Sequence, residues 1–129
     1  MSTAATGAGS ADQERAKRVL MLFSESKDLP ANIFLERATP AELEKRSRAR
    51  LEFYAEYLDA TRFPSENYYR LFREYLREKY AQQPPDLLMI FYTRTLKLAG
   101  RLPAELFRGV PVVAAGLSEE EIPLERLLL

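Results

Sequence analysis

Arg18-Val-Leu-Met-Leu-Phe-Ser24 is the stretch that decides the fold. A short apolar run with basic residues before it and polar residues after it reads as a strand buried on both faces, the kind found inside parallel sheets. Asp86-Leu-Leu-Met-Ile-Phe-Tyr92 repeats the pattern and is the clearest buried strand in the chain. Everything between and around these two runs is read against them.

After the first run, Ser24-Glu-Ser-Lys-Asp28 is a polar loop. Pro30 suits the first turn of a helix, where its missing N–H costs nothing. The pattern from Ile33 and Phe34 through Leu43 predicts a helix to about residue 46. Pro40 interrupts it, and Thr39-Pro-Ala-Glu42 resembles a capping box, so one kinked helix and two shorter pieces both stay open. Arg50 to Tyr57 alternates, with Leu51, Phe53 and Ala55 on one side and Glu52, Tyr54 and Glu56 on the other. That period of two predicts a half-covered strand near the sheet edge.

Ser65 is a good N-cap for a second helix. Its apolar positions Tyr68, Leu71, Phe72, Tyr75, Leu76 and Tyr80 share one face, and Gln82-Gln-Pro-Pro85 stops it. Thr93 can cap a third helix, which Gly100 ends; Pro103 to Phe107 offers another helical turn. Gly109 and Pro111 mark the start of a predicted fourth strand, Val110 to Ala115, which Gly116 follows. The alternation β-α-β-α-β-α-β predicts an α/β fold: a doubly wound, Rossmann-like parallel sheet of four to five strands. The expected order is 2-1-3-4, with helices on both faces.

Composition narrows function. The chain has 129 residues, a normal size for one domain. Nineteen basic and 19 acidic residues cancel to a net charge of +0. That balance argues against a nucleic-acid partner, which needs a basic excess to displace counterions. There is no Cys and no His, which excludes disulfides, thiolate nucleophiles, His-based triads and the usual zinc sites. No cofactor is expected, because no Gly-rich phosphate loop follows the first strand.

A receiver-type magnesium site would need an Asp after strand three, where Phe91-Tyr92-Thr93 stands instead. Ser24 and Lys27 share one short loop with no orienting base, so a Ser/Lys nucleophile is not expected. The tyrosines Tyr68, Tyr75 and Tyr80 are read as helix–sheet packing rather than ligand stacking.

Three parts of the chain are distinguished. Residues 1–14, rich in small residues, read as a flexible tail. Residues 15–117 form the α/β lobe. Residues 118–129 begin as Ser118-Glu-Glu-Glu121 and end on three leucines. That end either packs on its own domain or continues into a missing second lobe. It also makes a homodimer through Leu127 to Leu129 an expectation. No apolar run is long enough to span a bilayer, and Met1 to Ser10 does not read as a signal peptide. The chain is then either cytosolic or begins after a removed leader or anchor.

Several stretches together resemble one family. They are Arg18-Val-Leu-Met-Leu-Phe-Ser24, Asp28-Leu-Pro30, Phe53-Tyr-Ala-Glu-Tyr-Leu-Asp59, Lys79-Tyr80, Pro85-Asp-Leu-Leu88 and Phe107-Arg-Gly-Val-Pro-Val-Val113. The chain is similar to the first lobe of the periplasmic-binding-protein-like sensor domains of bacterial two-component, often hybrid, histidine kinases. Those domains are themselves similar to ABC-transporter substrate-binding proteins. The resemblance runs from about Arg18 to the end. It implies two lobes with a ligand cleft between them, outside the cytoplasmic membrane, feeding a transmembrane kinase. The second lobe, membrane helices and kinase motifs have no counterpart in this sequence, so kinase activity does not carry over.

In an open parallel sheet, ligands sit beyond the carboxyl ends of the strands, where strand order reverses. That places the expected site between the first and third strands. Its candidate ligand-binding residues are Ser24, Glu25, Ser26, Tyr92, Thr93, Arg94 and Gly116. The hydroxyls donate and accept, a helix start after Tyr92 would face an anion, and Arg94 would grip a carboxylate or phosphate. Glycine at position 116 would let backbone approach the ligand. The alternative for each is a simple cap, turn or solvated side chain.

The leading expectation is a non-enzymatic, extracytoplasmic ligand-sensing lobe that binds a small molecule and signals by lobe closure. Any membrane link runs through flanking segments. A self-associating module or a transporter's substrate-binding component is the alternative, and a small cytosolic enzyme is the third reading.

Overall fold

A computed structural model describes residues 15–91 and 107–115. Its strands are β1 (Lys17–Phe23), β2 (Leu51–Tyr57), β3 (Leu87–Phe91) and β4 (Val112–Ala115). Between them run the helices α1 (Pro30–Arg46) and α2 (Glu66–Lys79). All pairings are parallel and the order is β2-β1-β3-β4. The fold is α/β in the expected order, with β1 and β3 inside and β2 at an edge.

Parity along β1 divides the core. Leu20 and Leu22 face α2 and pack with Phe72, Leu76, Tyr80, Leu88, Ile90 and Phe107. Val19, Met21 and Phe23 face α1, with Leu35, Leu43, Phe53 and Phe91. The two helices therefore cover opposite faces, the arrangement right-handed crossovers impose when strand order reverses. Parallel strands buried on both faces need apolar residues of both parities, which is why the β1 run is continuous rather than alternating.

Phe23 anchors the last rank of the sheet. Register sets it beside Tyr57 and Phe91. Its ring stacks on Tyr57 at 4.8 Å and on Phe91 at 4.6 Å, with interplanar angles of 11° and 8°. At the opposite end Asp86 fastens β1 to β3. Its carboxylate accepts the Arg18 N–H at 2.8 Å and pairs with Arg15 at 3.2 Å, while its own N–H donates to the Arg18 carbonyl. Burial pulls the Asp86 carboxyl upward, but the Arg18 N–H and the Arg15 and Lys17 charges outweigh it and hold its pKa below the ordinary value.

One open reading is settled and other expectations are corrected. α1 is one helix that continues through Pro40. It ends at Ser47, with Lys45 and Arg46 in the last turn favouring the helix dipole. Its two sides are both partly apolar: Leu35 and Leu43 meet the sheet, whereas Ile33 and Phe34 (67% exposed) face outward. α2 starts as expected, with the Ser65 hydroxyl accepting the Tyr68 N–H. Leu71 and Tyr75, expected on its packed face, are exposed. They flank the stripe formed by Phe72, Leu76 and Tyr80, which together already fill the space over β1 and β3.

β4 is shorter than expected and begins at Val112. The turn before it carries Gly109 at φ +81, a conformation a side chain would strain. Residues 1–14 and 118–129, the third helix and most of the Pro103 to Phe107 turn lie outside the described residues.

β2 departs most from its alternation. The side carrying Glu52, Tyr54 and Glu56 is not simply solvated, because α2 lies over it. Glu56 is only 6% exposed. Its carboxylate accepts hydrogen bonds from the Tyr80 hydroxyl at 2.6 Å, Lys79 Nζ at 2.7 Å and the Tyr75 hydroxyl at 3.0 Å. Lys79 also lies over the Tyr75 and Tyr80 rings. This cluster fastens the edge strand to the last turn of α2. Its acceptors and donors satisfy one another, as buried polar groups must.

Candidate functional site

The carboxyl ends of β1 and β2 turn into two loops that bond to each other. The β1 ladder runs one step past the strand: the Ser24 N–H donates to the Phe91 carbonyl at 3.3 Å. On the other side the Ser24 carbonyl accepts the Ala60 N–H at 2.7 Å, and the Phe23 carbonyl accepts the Leu58 N–H at 2.9 Å. Both main-chain groups of Ser24 are thus committed, one toward β3 and one toward the loop after β2. Its side chain differs. Ser24 is 1% exposed, and its hydroxyl finds no hydrogen-bond partner among the described residues.

Ser26 closes the turn into α1. Its hydroxyl accepts the Asp28 N–H at 3.2 Å, and its carbonyl accepts the Leu29 N–H at 3.3 Å. The same carbonyl takes a bond from Asn32 Nδ2 at 2.7 Å. No side chain caps α1, whose N-cap is Leu29. Asn32, in the first turn, is fully buried. With Nδ2 pinned to Ser26, its Oδ1 is the remaining polar atom, and that oxygen has no partner among the described residues. Buried side-chain oxygens without partners are uncommon in folded proteins, and each calls for a physical reason.

Glu25 crosses to the neighbouring loop, where one carboxylate oxygen accepts the Thr61 N–H at 3.2 Å. In that loop Asp59 takes φ 58, a left-handed conformation that Asp tolerates better than most side chains. Its carboxylate grips the Arg62 guanidinium through Nε at 2.8 and 3.1 Å and through a terminal nitrogen at 2.6 Å. A terminal nitrogen of Arg62 also donates across to the Ser26 hydroxyl at 3.5 Å, so Arg62 links its own loop to the turn before α1.

Of the residues expected from sequence, the structure brings Ser24, Glu25 and Ser26 together at the carboxyl edge. Ser26 acts chiefly as a turn former. Tyr92, Thr93, Arg94 and Gly116 lie outside the described residues. Asn32 was not expected. Its signal in the sequence is faint: a polar residue one turn inside a helix start, on the side that later carries Leu35 and Leu43.

Two shallow apolar grooves, of about 450 and 460 Å³, lie along Pro30, Ile33 and Phe34 and along Phe63, Pro64 and Tyr68. Neither is lined by Ser24 or Asn32. Among the described residues no three acidic side chains form a metal-binding group, and no helix is long and apolar enough to cross a membrane. A scan against protein-family models finds no match, and searches of curated proteins and of solved structures find none.

Proposed function

We propose that this chain is a non-catalytic α/β lobe that binds a polar small molecule at the carboxyl ends of its central strands. The observation that carries the reading is the Ser24 hydroxyl. It is buried beside the point where strand order reverses, and no described side chain or carbonyl meets it. Open parallel sheets place their ligands at that position. A hydroxyl left without a partner costs about 1–3 kcal/mol of desolvation, so a fold that keeps one gains from it elsewhere.

The sequence resemblance extends the proposal. It makes this the first lobe of a two-lobed extracytoplasmic sensor of a two-component histidine kinase, in which ligand binding favours closure of the lobes. Ligand binding can shift such an equilibrium only by the difference in affinity between open and closed forms.

Amide chemical-shift mapping of the isotope-labelled chain tests the reading, with ethanolamine, glycerol and acetate as probes. The expected result is a set of shifts concentrated between Ser24 and Asn32 for at least one probe, lost in Ser24→Ala. Shifts scattered over the surface, or none with any probe, would contradict it.

A further inference from the structure

β2 ends the sheet on one side, and no strand among the described residues pairs with its outer edge. We propose that a second copy of this chain adds there. Its β2 runs antiparallel to the first across a twofold axis, which joins two four-stranded sheets into one.

The ladder to β1 fixes what the edge offers. The Arg50 carbonyl accepts the Lys17 N–H, and the Leu58 N–H donates to the Phe23 carbonyl. Even-numbered residues of β2 therefore turn their main-chain groups toward β1, and Leu51, Phe53, Ala55 and Tyr57 turn theirs outward. The register with β1 is unbroken over all seven residues. Sheet edges are commonly blunted by shortness, Lys, Pro or a bulge. β4, the other edge, has four residues and follows Pro111. β2 has seven, with no Lys, no Pro and no bulge.

Charge selects the register. Side chains keep their faces only when residues of the same parity meet. With Phe53 opposite the partner's Phe53, Leu51 meets the partner's Ala55. On the other face Glu52 meets the partner's Tyr54, and Arg50 meets the partner's Glu56. Each acid then faces a donor and each apolar residue an apolar one. Sliding the pair by two residues sets Glu52 against the partner's Glu52 in one direction and against the partner's Glu56 in the other. Like charges placed directly opposite destabilise a pair.

Apolar surface lies beside the same edge. Tyr75 bonds to Glu56 of β2 through its hydroxyl, yet it is 46% exposed, and Leu71 one turn earlier is 51% exposed. Their helical spacing belongs to a packed face that the core of one chain does not use. The twofold axis stands perpendicular to the sheet, so both copies of α2 lie on one face with these side chains between them. Their burial adds to the main-chain bonds of the joined edges.

Sedimentation equilibrium of the full chain at several concentrations tests the proposal. The expected result is an average mass that rises from one chain to two. Ala55→Pro deletes an outward N–H and leaves the β1 ladder intact, as proline at a free edge can. It should weaken the dimer about tenfold or more, the scale of a hydrogen bond lost from both copies. The register has a separate readout, because the chain contains no cysteine. Positions 52 and 54 meet as a closer, non-hydrogen-bonded pair. A mixture of Glu52→Cys and Tyr54→Cys chains should therefore form a disulfide-linked dimer faster than either variant alone. Those two variants leave the main chain unchanged and carry the test if circular dichroism shows that Ala55→Pro does not fold.

A mass of one chain at every concentration overturns the proposal. Slow amide exchange at Phe53 and Ala55 in that monomer would show the edge covered by the chain itself. A dimer that folded Ala55→Pro leaves intact, with no preferred link between positions 52 and 54, also overturns it and puts the contact on another surface.

Discussion

Phe23→Ala is expected to cost about 3–5 kcal/mol of folding free energy, the range for emptying a buried aromatic position. Phe23 is fully buried, and its ring is stacked on Tyr57 and Phe91 from the strands on either side. Removing it deletes two ring contacts and leaves a cavity between three strands, which packed sheets close only in part. Domains of this size have about 5–15 kcal/mol in all, so the variant should be partly unfolded at moderate temperature. Urea unfolding of both proteins measures the difference from the two midpoints. A loss below about 1 kcal/mol would mean that the ring does not sit in this stack, since even smaller core truncations cost that much.

The second large effect belongs to Glu56. Glu56→Ala removes the shared acceptor of Tyr75, Lys79 and Tyr80. Lys79 is 45% exposed and can turn to water, so its share is small. Tyr80 is buried, and its hydroxyl would keep its desolvation cost without its partner. The expected loss is roughly 2 kcal/mol, close to that of one orphaned buried group.

The pH dependence adds a second readout. Burial, and then the Glu56 carboxylate, push the Tyr80 phenol up, and the Glu56 bond raises Lys79. A group that holds its proton more tightly when folded adds stability below its unfolded pKa and gives it up as pH climbs toward the folded value. The native protein should therefore lose stability as pH rises above about 10, the ordinary range for both groups. In Glu56→Ala that decline should be shallower. Equal slopes in urea midpoints on the two sides of that pH would contradict the cluster as described.

Glu56 also shows where local sequence patterns stop informing. The alternation of β2 is visible in the sequence, and the strand forms where it indicates. A glutamate in such a pattern reads as solvent-facing, because burying its charge alone is costly. The groups that make burial tolerable come from the last turn of α2, 19 to 24 residues later. No window of the length used to find strands contains them.

The central strands were legible for the opposite reason. Apolar runs such as Val19 to Phe23 carry their own explanation, since only burial on both faces accounts for them. Ser65 was legible because a cap is a local event. α1 was less so: with apolar residues on two sides and Pro40 in its path, its continuity depends on the sheet beneath it.

The candidate site divides in the same way. Ser24, Glu25 and Ser26 followed from the rule that places ligands at the ends of central strands. Asn32 did not: its buried oxygen stands out only because the other end of its amide is already bonded. That is settled only when the carbonyl of Ser26 arrives beside it. A polar residue near a helix start otherwise suggests an ordinary cap.

On the proposed reading, the Ser24 hydroxyl is kept for a ligand and not for the fold. Urea unfolding of Ser24→Ala without added probe tests this most directly. If no protein group meets that hydroxyl, its removal should leave stability unchanged or raise it by up to about 1 kcal/mol. A loss of more than about 1 kcal/mol would show that the hydroxyl supports the folded chain, and the site built around it would fall.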